Sequence, residues 1–341
     1  MLNELIIISN EKFDKDGNNF YCDNVAEKSL PDELTNFFSI KIIGRISKKK
    51  RAHKLKTNNI KLFNSLFFYL IYIFKNINKK KSKFLLLSIS PYTFFASLLF
   101  FFSKKKPIIY LRSDGYKEYR SILGFYGPMI YSLMFNIASK VGQFVSCNQY
   151  ILKKKKGFVV NPSEINENWI TNTKKTSFKK IKLLYIGRVK VEKGIFSLLK
   201  IMKNSKIDIS LSIVGATQES VKKISQKNVS IFGIQNNELE LIKFYDNHNI
   251  FILPSFTEGH PMVLLEALAR QRPVIIFKEI DNIVGNFKGI FVAERSTNSF
   301  FETINHIKSN YEKIYLEMKS NVLPTKKQFI GEFGKFILNS D

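Results

Sequence analysis

The chain has 341 residues, enough for two domains of ordinary size with a core each. Its 45% hydrophobic and 24% charged residues exclude a disordered or fibrous protein, and its two distant cysteines and four histidines offer neither a C-x-x-C zinc cluster nor H-E-x-x-H. The net charge of +26 is uneven: residues 41–160 carry 25 Lys and Arg against two acids, a field that attracts nucleic acid, anionic headgroups or anionic substrates, or else marks lysine-rich solvated loops.

The amino terminus "MLNELIIISNEK" has no basic region leading into a signal core, so cytoplasm is the expected compartment. After a first strand "ELIIIS", the segment "SNEKFDKDGNN" reads as a turn-rich loop. Its Asp14 and Asp16 imitate a D-x-D metal motif but fall outside a nucleotide-binding strand end, and no metal site is expected. The segment "LFNSLFFYLIYIF" (62–74) is short for a membrane span and lies between lysines; it reads as a core helix or an interfacial one. The uncharged run at 84–102 is long enough to span a bilayer, but Pro91 near its middle divides it into a strand "FLLLSIS", a turn and a buried helix "TFFASLLFFF". Further strands are "PIIYLRS" (107–113), "QFVSC" (143–147) and "GFVVN" (157–161). Strand and helix in alternation predict α/β architecture with a parallel sheet.

A polar stretch then predicts a linker over 166–180, between an amino-terminal domain 1–165 and a second domain 181–325; a terminal helix, 326–341, would cross back to the first. The second half alternates more cleanly, through "IKLLYIG" (181–187), "DISLSIVG" (208–215), "NVSIFG" (228–233), "NIFILPS" (249–255), "PVIIF" (273–277) and "GIFVA" (289–293). Two facing doubly wound domains would bind ligand in a cleft at the carboxyl ends of their strands.

In "YIGRVKVEKGIF" a strand ends at Gly187 and a helix begins near Lys193 or Gly194. Arg188 and Lys193 then stand beside free helix N–H groups, where a diphosphate fits; the alternative is two solvated cations in a surface loop. In "FTEGHPMVLLEALARQRP" Pro261 suits the first helical position and Gly259 permits close backbone approach, so the N–H groups around Met262 and Val263 would face a ligand. Glu266, one turn on, is suited to the paired hydroxyls of a ribose, and Glu258 to those of a transferred sugar. The alternatives are a Glu266–Arg270 pair on an exposed helix face and, for Glu258, an electrostatic helix start.

These segments, in consistent order over 181–278, resemble the nucleotide-sugar domain of glycosyltransferase family 4, whose E-x7-E motif corresponds to Glu258 and Glu266. The resemblance implies a GT-B fold and a retaining transfer that needs no metal or cofactor, with the departing phosphate helping to take the acceptor's proton. It places Gly187, Arg188 and Lys193 on the donor diphosphate, Glu266 on the ribose, Gly233 and Ile234 beside the base, and Glu258, Gly259 and His260 at the donor sugar. In the first domain Ser113 and Asp114 stand where relatives carry His-Asp; Asp114 would orient an acceptor hydroxyl and Arg112 would meet an anionic group.

The expectation is a cytoplasmic hexosyltransferase of surface polysaccharide assembly. Its partners would be a nucleotide sugar, a saccharide or lipid-linked acceptor and the anionic inner membrane surface, which it would touch peripherally. Nucleic acid is not among the expected partners. Rival readings are a nucleic-acid-binding protein, suggested by charge alone, and a nucleotide-sugar epimerase of the same fold.

Overall fold

The computed structural model describes residues 3–79, 81–103, 105–203, 208–224 and 226–340; Lys80 and Lys104, members of two of the lysine runs, lie outside them. The chain divides into two compact units, Met1–Asn161 with Lys327–Asp341, and Pro162–Lys326.

The strands of the first unit are β1 (Glu4–Asp16), β2 (Asn19–Cys22), β3 (Ser39–Ile46), β4 (His53–Lys54), β5 (Ile60–Phe63), β6 (Ser82–Leu87), β7 (Ile108–Leu111), β8 (Gln143–Ser146) and β9 (Gly157–Val159). Seven of them pair in parallel, in the order β5-β3-β1-β6-β7-β8-β9. Leu5, Ile6, Ile7 and Ile8 are fully buried, as a strand covered on both faces requires. The segment expected to be a loop is instead a hairpin: β1 continues to Asp16 and returns as β2, with Asp14 opposite Tyr21 and Asp16 opposite Asn19. Phe13, completely buried just before Asp14, anchors that extension.

Two helical layers cover this sheet. α1 (Val25–Leu34) lies on one face, sharing a core with Leu5, Ile7, Leu85 and Tyr110. The opposite face, through Ile6, Ile8, Leu86 and Ile109, receives α2 (Leu66–Ile77), α3 (Pro91–Leu98) and α5 (Gly127–Val141), with α4 (Gly115–Leu123) packed on α5. The uncharged run at 84–102 therefore contributes a central strand, a helix that opens on Pro91, and a 3₁₀ turn to Phe102.

In the second unit β10 (Ile181–Ile186), β11 (Ile209–Val214), β12 (Val229–Phe232), β13 (Ile250–Leu253), β14 (Val274–Phe277) and β15 (Ile290–Ala293) form a wholly parallel sheet, ordered β12-β11-β10-β13-β14-β15. Its helices are α6 (Glu167–Ile170), α7 (Ile195–Lys203), α8 (Gln218–Ile224), α9 (Glu238–Asn247), α10 (Met262–Ala269), α11 (Thr297–Ser309) and α12 (Tyr311–Met318). The strand order reverses between β10 and β13, and a doubly wound sheet binds its ligand at the carboxyl ends of the strands flanking such a reversal. The last helix, α13 (Lys326–Asn339), puts Phe329, Ile330, Phe333 and Ile337 into the core that the first unit shares with α1.

The stretch 166–180 is no linker. Trp169 of α6 is 2% exposed in the core of the second unit. The Arg270 guanidinium donates to the carbonyls of Trp169, Thr171 and Asn172, and the Asn249 amide donates to those of Ser177 and Lys180. A polar sequence is held here by buried donors contributed from elsewhere, so its backbone carbonyls are satisfied without a strand or a long helix.

Candidate functional site

The two loops at the reversal point are joined by contacts that fix their backbones. The β10 loop passes through a 3₁₀ turn at Val191–Lys193 and enters α7 after Gly194, whose φ is +67°. A Cβ on Gly194 would lie 1.8 Å from the carbonyl oxygen of Pro254 in the β13 loop, so only glycine permits this approach. Beside it the Phe256 N–H donates to the Glu192 carbonyl at 3.0 Å.

This stitching brings Lys193 to Glu258. The ammonium donates to Oε1 at 2.6 Å, and the buried Ser255 hydroxyl donates to the same oxygen at 2.6 Å. Arg295 secures the loop from behind: its guanidinium stacks 4.0 Å above Phe256, donates to the Ser255 carbonyl and pairs with Glu279. The two residues expected on a diphosphate and on a sugar are thus partners of each other, a cation and an anion held at a strand end. Arg188 is exposed next to them, its carbonyl accepting from the Tyr185 hydroxyl at 2.8 Å.

α10 begins one residue later than expected. Pro261 has extended backbone angles and caps the helix, leaving Met262 and Val263 as its first turn, where N–H groups have no carbonyl four residues back. Glu266 follows one turn on. Burial pushes its carboxyl up to about 7, against the opposing effect of the hydrogen bond that the Tyr245 hydroxyl donates to it at 2.8 Å. The alternative pairing with Arg270 does not occur, because the buried Arg270 guanidinium is engaged by the Asp246 carboxylate and by the Trp169 carbonyl of α6. His260 is also committed: its Nε2 lies 2.7 Å from the Pro162 carbonyl, which can only accept, so this nitrogen carries the proton and Nδ1 is the open one. Burial lowers the ring's pKa. Gly233 and Ile234 follow β12 with open space around them, a Cβ on Gly233 meeting nothing within 4 Å.

In the first unit the expected acceptor residues have other work. Asp114 is 4% exposed; it caps α4, accepts from the Tyr150 hydroxyl at 2.6 Å and pairs with Lys153. Arg112 pairs with the buried Glu27 at 2.5 Å, and Glu27 also accepts from the Ser9 hydroxyl. Ser113 is half-buried between them. Sequence reasoning misses Glu27, Tyr245, Ser255 and Arg295. Only Ser255 was within reach of a local reading, three residues before Glu258 in a turn. Among the described residues no cluster of three or more His, Cys, Asp or Glu is placed to hold a metal.

Residues 168–322 match the family model described as Glycosyl transferases group 1. The matched segment lies within the second unit. A curated relative, the capsular polysaccharide biosynthesis glycosyltransferase CapM of Staphylococcus aureus, is 30% identical over 136 residues, which is 36% of this chain and 35% of CapM. The chain thus aligns with about a third of that relative's length. Among solved structures, HepE of Anabaena in complex with UDP and glucose superposes with a TM-score of 0.70 at 12% identity, over 99% of this chain and 100% of that one. WaaG, a glycosyltransferase involved in lipopolysaccharide biosynthesis, gives 0.68 at 10% identity, over 98% and 100%. The fold is GT-B.

Proposed function

We propose that the chain moves a hexosyl group from a nucleoside diphosphate sugar to a saccharide acceptor, with retention of anomeric configuration. The observation that carries this reading is the Lys193–Glu258 contact of 2.6 Å at the strand-order reversal, directly before the free N–H groups of α10. A donor diphosphate arriving there competes for Lys193, and Arg188 swings in from solvent as a second donor. The cations and the α10 amino terminus stabilise charge as it develops on the departing diphosphate, so no protein carboxylate has to act as nucleophile. Glu258, released from Lys193 but still held by Ser255, accepts from hydroxyls of the donor sugar. Glu266 accepts from the ribose diol, and Gly233 with Ile234 flanks the base.

CapM and WaaG support the polysaccharide setting, and HepE, solved with UDP and glucose, the choice of a uridine nucleotide as the first probe. An acceptor carried on a lipid diphosphate suits the acid-poor stretch of the first unit, and with it a place on the cytoplasmic face of a membrane. The test is thermal stabilisation by a panel of nucleoside diphosphates and their sugars in EDTA. Ligand at ~100 times its Kd stabilises by roughly 2.7 kcal/mol through mass action. Arg188→Ala and Glu266→Ala should both diminish a selective shift. No shift with any nucleotide, in folded protein, would refute the reading.

A further inference from the structure

The helical layer formed by α2, α3, α4 and α5 turns an apolar surface to solvent. At the α4–α5 corner Ile122, Phe125, Tyr126, Met129 and Leu133 are 63–85% exposed. On α2, Phe67, Phe68 and Phe74 point away from the sheet that Tyr69 and Ile73 cover. The 3₁₀ turn after α3, which packs against both α2 and α5, ends on Phe102, 94% exposed. Large apolar side chains scattered singly on a surface need no explanation, whereas so many on one layer mark an interaction face.

We infer that this layer is a docking face for an anionic lipid surface, into which the α4–α5 corner inserts. Charge complementarity selects that occupant over a second copy of the chain. Between Glu33 and Glu164 the only acids are Asp114 and Glu118, and Asp114 is buried, while Lys75, Lys106, Arg120 and Lys140 are exposed on or beside the same helices. Two copies placed face to face would bring like charge together; anionic headgroups neutralise it.

The segment Gly115–Val141 is long and apolar enough to cross a membrane, but it does not fold as one continuous helix. The helix breaks at Gly124, and α4 folds back onto α5, with Tyr116 and Tyr119 against Tyr131 at ring separations of 5.0 and 5.2 Å. Gly127 seats on the Tyr119 carbonyl, where a Cβ would lie 2.0 Å away. Neither helix alone reaches the ~30 Å of a hydrocarbon core, since even α5 is only about 22 Å long at 1.5 Å per residue. The inner side of α5 stays on the sheet through Met134, Phe135 and Ala138.

This inference rests on the membrane part of the proposed function and deepens it. The test is flotation of the full chain with vesicles of phosphatidylcholine, with and without roughly 30% phosphatidylglycerol. Wild type should float with the anionic vesicles and be released by salt. Phe125→Ser/Met129→Ser/Leu133→Ser should lower partitioning by about tenfold or more, and Leu316→Ser/Val322→Ser, exposed apolar positions of the second unit, should not. Equal near-ultraviolet signals and equal protease resistance of the α2–α5 region in all three proteins show that the variants are folded, in the first unit as in the second. Wild-type flotation by the triple variant overturns the inference. So does a wild type that responds to nucleotide but never floats, a result that leaves glycosyl transfer standing. A wild-type dimer that the triple variant converts to monomer in sedimentation velocity overturns it in favour of self-association.

Discussion

At the scale of single residues, Glu266 gives the site a titration of its own. Burial raises its carboxyl to about 7 from an ordinary value near 4.5, so the folded chain binds a proton more tightly than the unfolded chain between those limits. Stability from this group is therefore fully present below about pH 4.5 and is lost as pH rises through about 7. Glu266→Gln should gain on wild type between pH 5 and pH 8, by an amount on the order of 1–2 kcal/mol once partial exposure is allowed for, measured as urea midpoints at both values. Donor binding should move the other way in wild type: the ionised form accepts both ribose hydroxyls, so nucleotide affinity should rise from pH 6 to pH 8 and become flat with pH in the glutamine variant. An affinity profile unchanged by the substitution would separate Glu266 from the ribose. Its helix position was legible in the sequence, but its protonation was not, because Tyr245 lies 21 residues earlier and reaches it only through the packing of α9 on α10.

Elements carry the next part of the argument, since the site depends on two loops being held at backbone distance. Gly194→Ala must place a methyl group where the Pro254 carbonyl stands and hold a left-handed angle as well. The β10 loop would withdraw from the β13 loop and Lys193 from Glu258. Nucleotide affinity should fall about tenfold or more, while Gly233→Ala, with open space for its methyl and no positive φ, should leave the fold's melting temperature within about 2 °C of wild type by scanning fluorimetry. A Gly194→Ala protein with wild-type nucleotide affinity would show that the contact between the loops is not what builds the site. The strands of the second unit were readable because each is an apolar run closed by a turn. In the first unit β3 was not, since Lys41 and Arg45 interrupt its apolar pattern; Lys41 is nevertheless buried, its ammonium 4.9 Å from the Tyr72 ring. The β1–β2 hairpin was hidden for a similar reason: in the charged end of β1 the buried apolar anchor is Phe13, and its core neighbours Phe20 and Cys22 lie across the turn on β2. Pairings such as Glu27–Arg112 have no local signature at all, because 85 residues separate partners that the parallel topology brings to one sheet end.

For the whole molecule, the chain's last residues complete the core near its first. α13 closes one face of the first sheet with Phe329, Ile330, Phe333 and Ile337, all 7% exposed or less, and Phe336 stacks on Phe158 at 4.7 Å and 8°. Gly334 lets Phe37 sit against the helix, where a Cβ would be 3.0 Å from the ring. Fully burying an apolar side chain of this size is worth about 1.5–3 kcal/mol, so four of them contribute roughly 6–12 kcal/mol, as much as the entire stability of an ordinary domain. A chain ending at residue 326 should consequently lose the first unit: its near-ultraviolet signal from the tyrosines and phenylalanines would collapse and its α2–α5 region would become protease-sensitive. The second unit keeps its own sheet and core, so its 168–322 segment should survive limited proteolysis and still be stabilised by nucleotide. Pulse proteolysis with mass mapping of the surviving fragment separates these outcomes. A truncated chain that retains both units would show that α1 and the sheet hold the first core without α13, and loss of both would show that the second unit draws its stability from outside Pro162–Lys326.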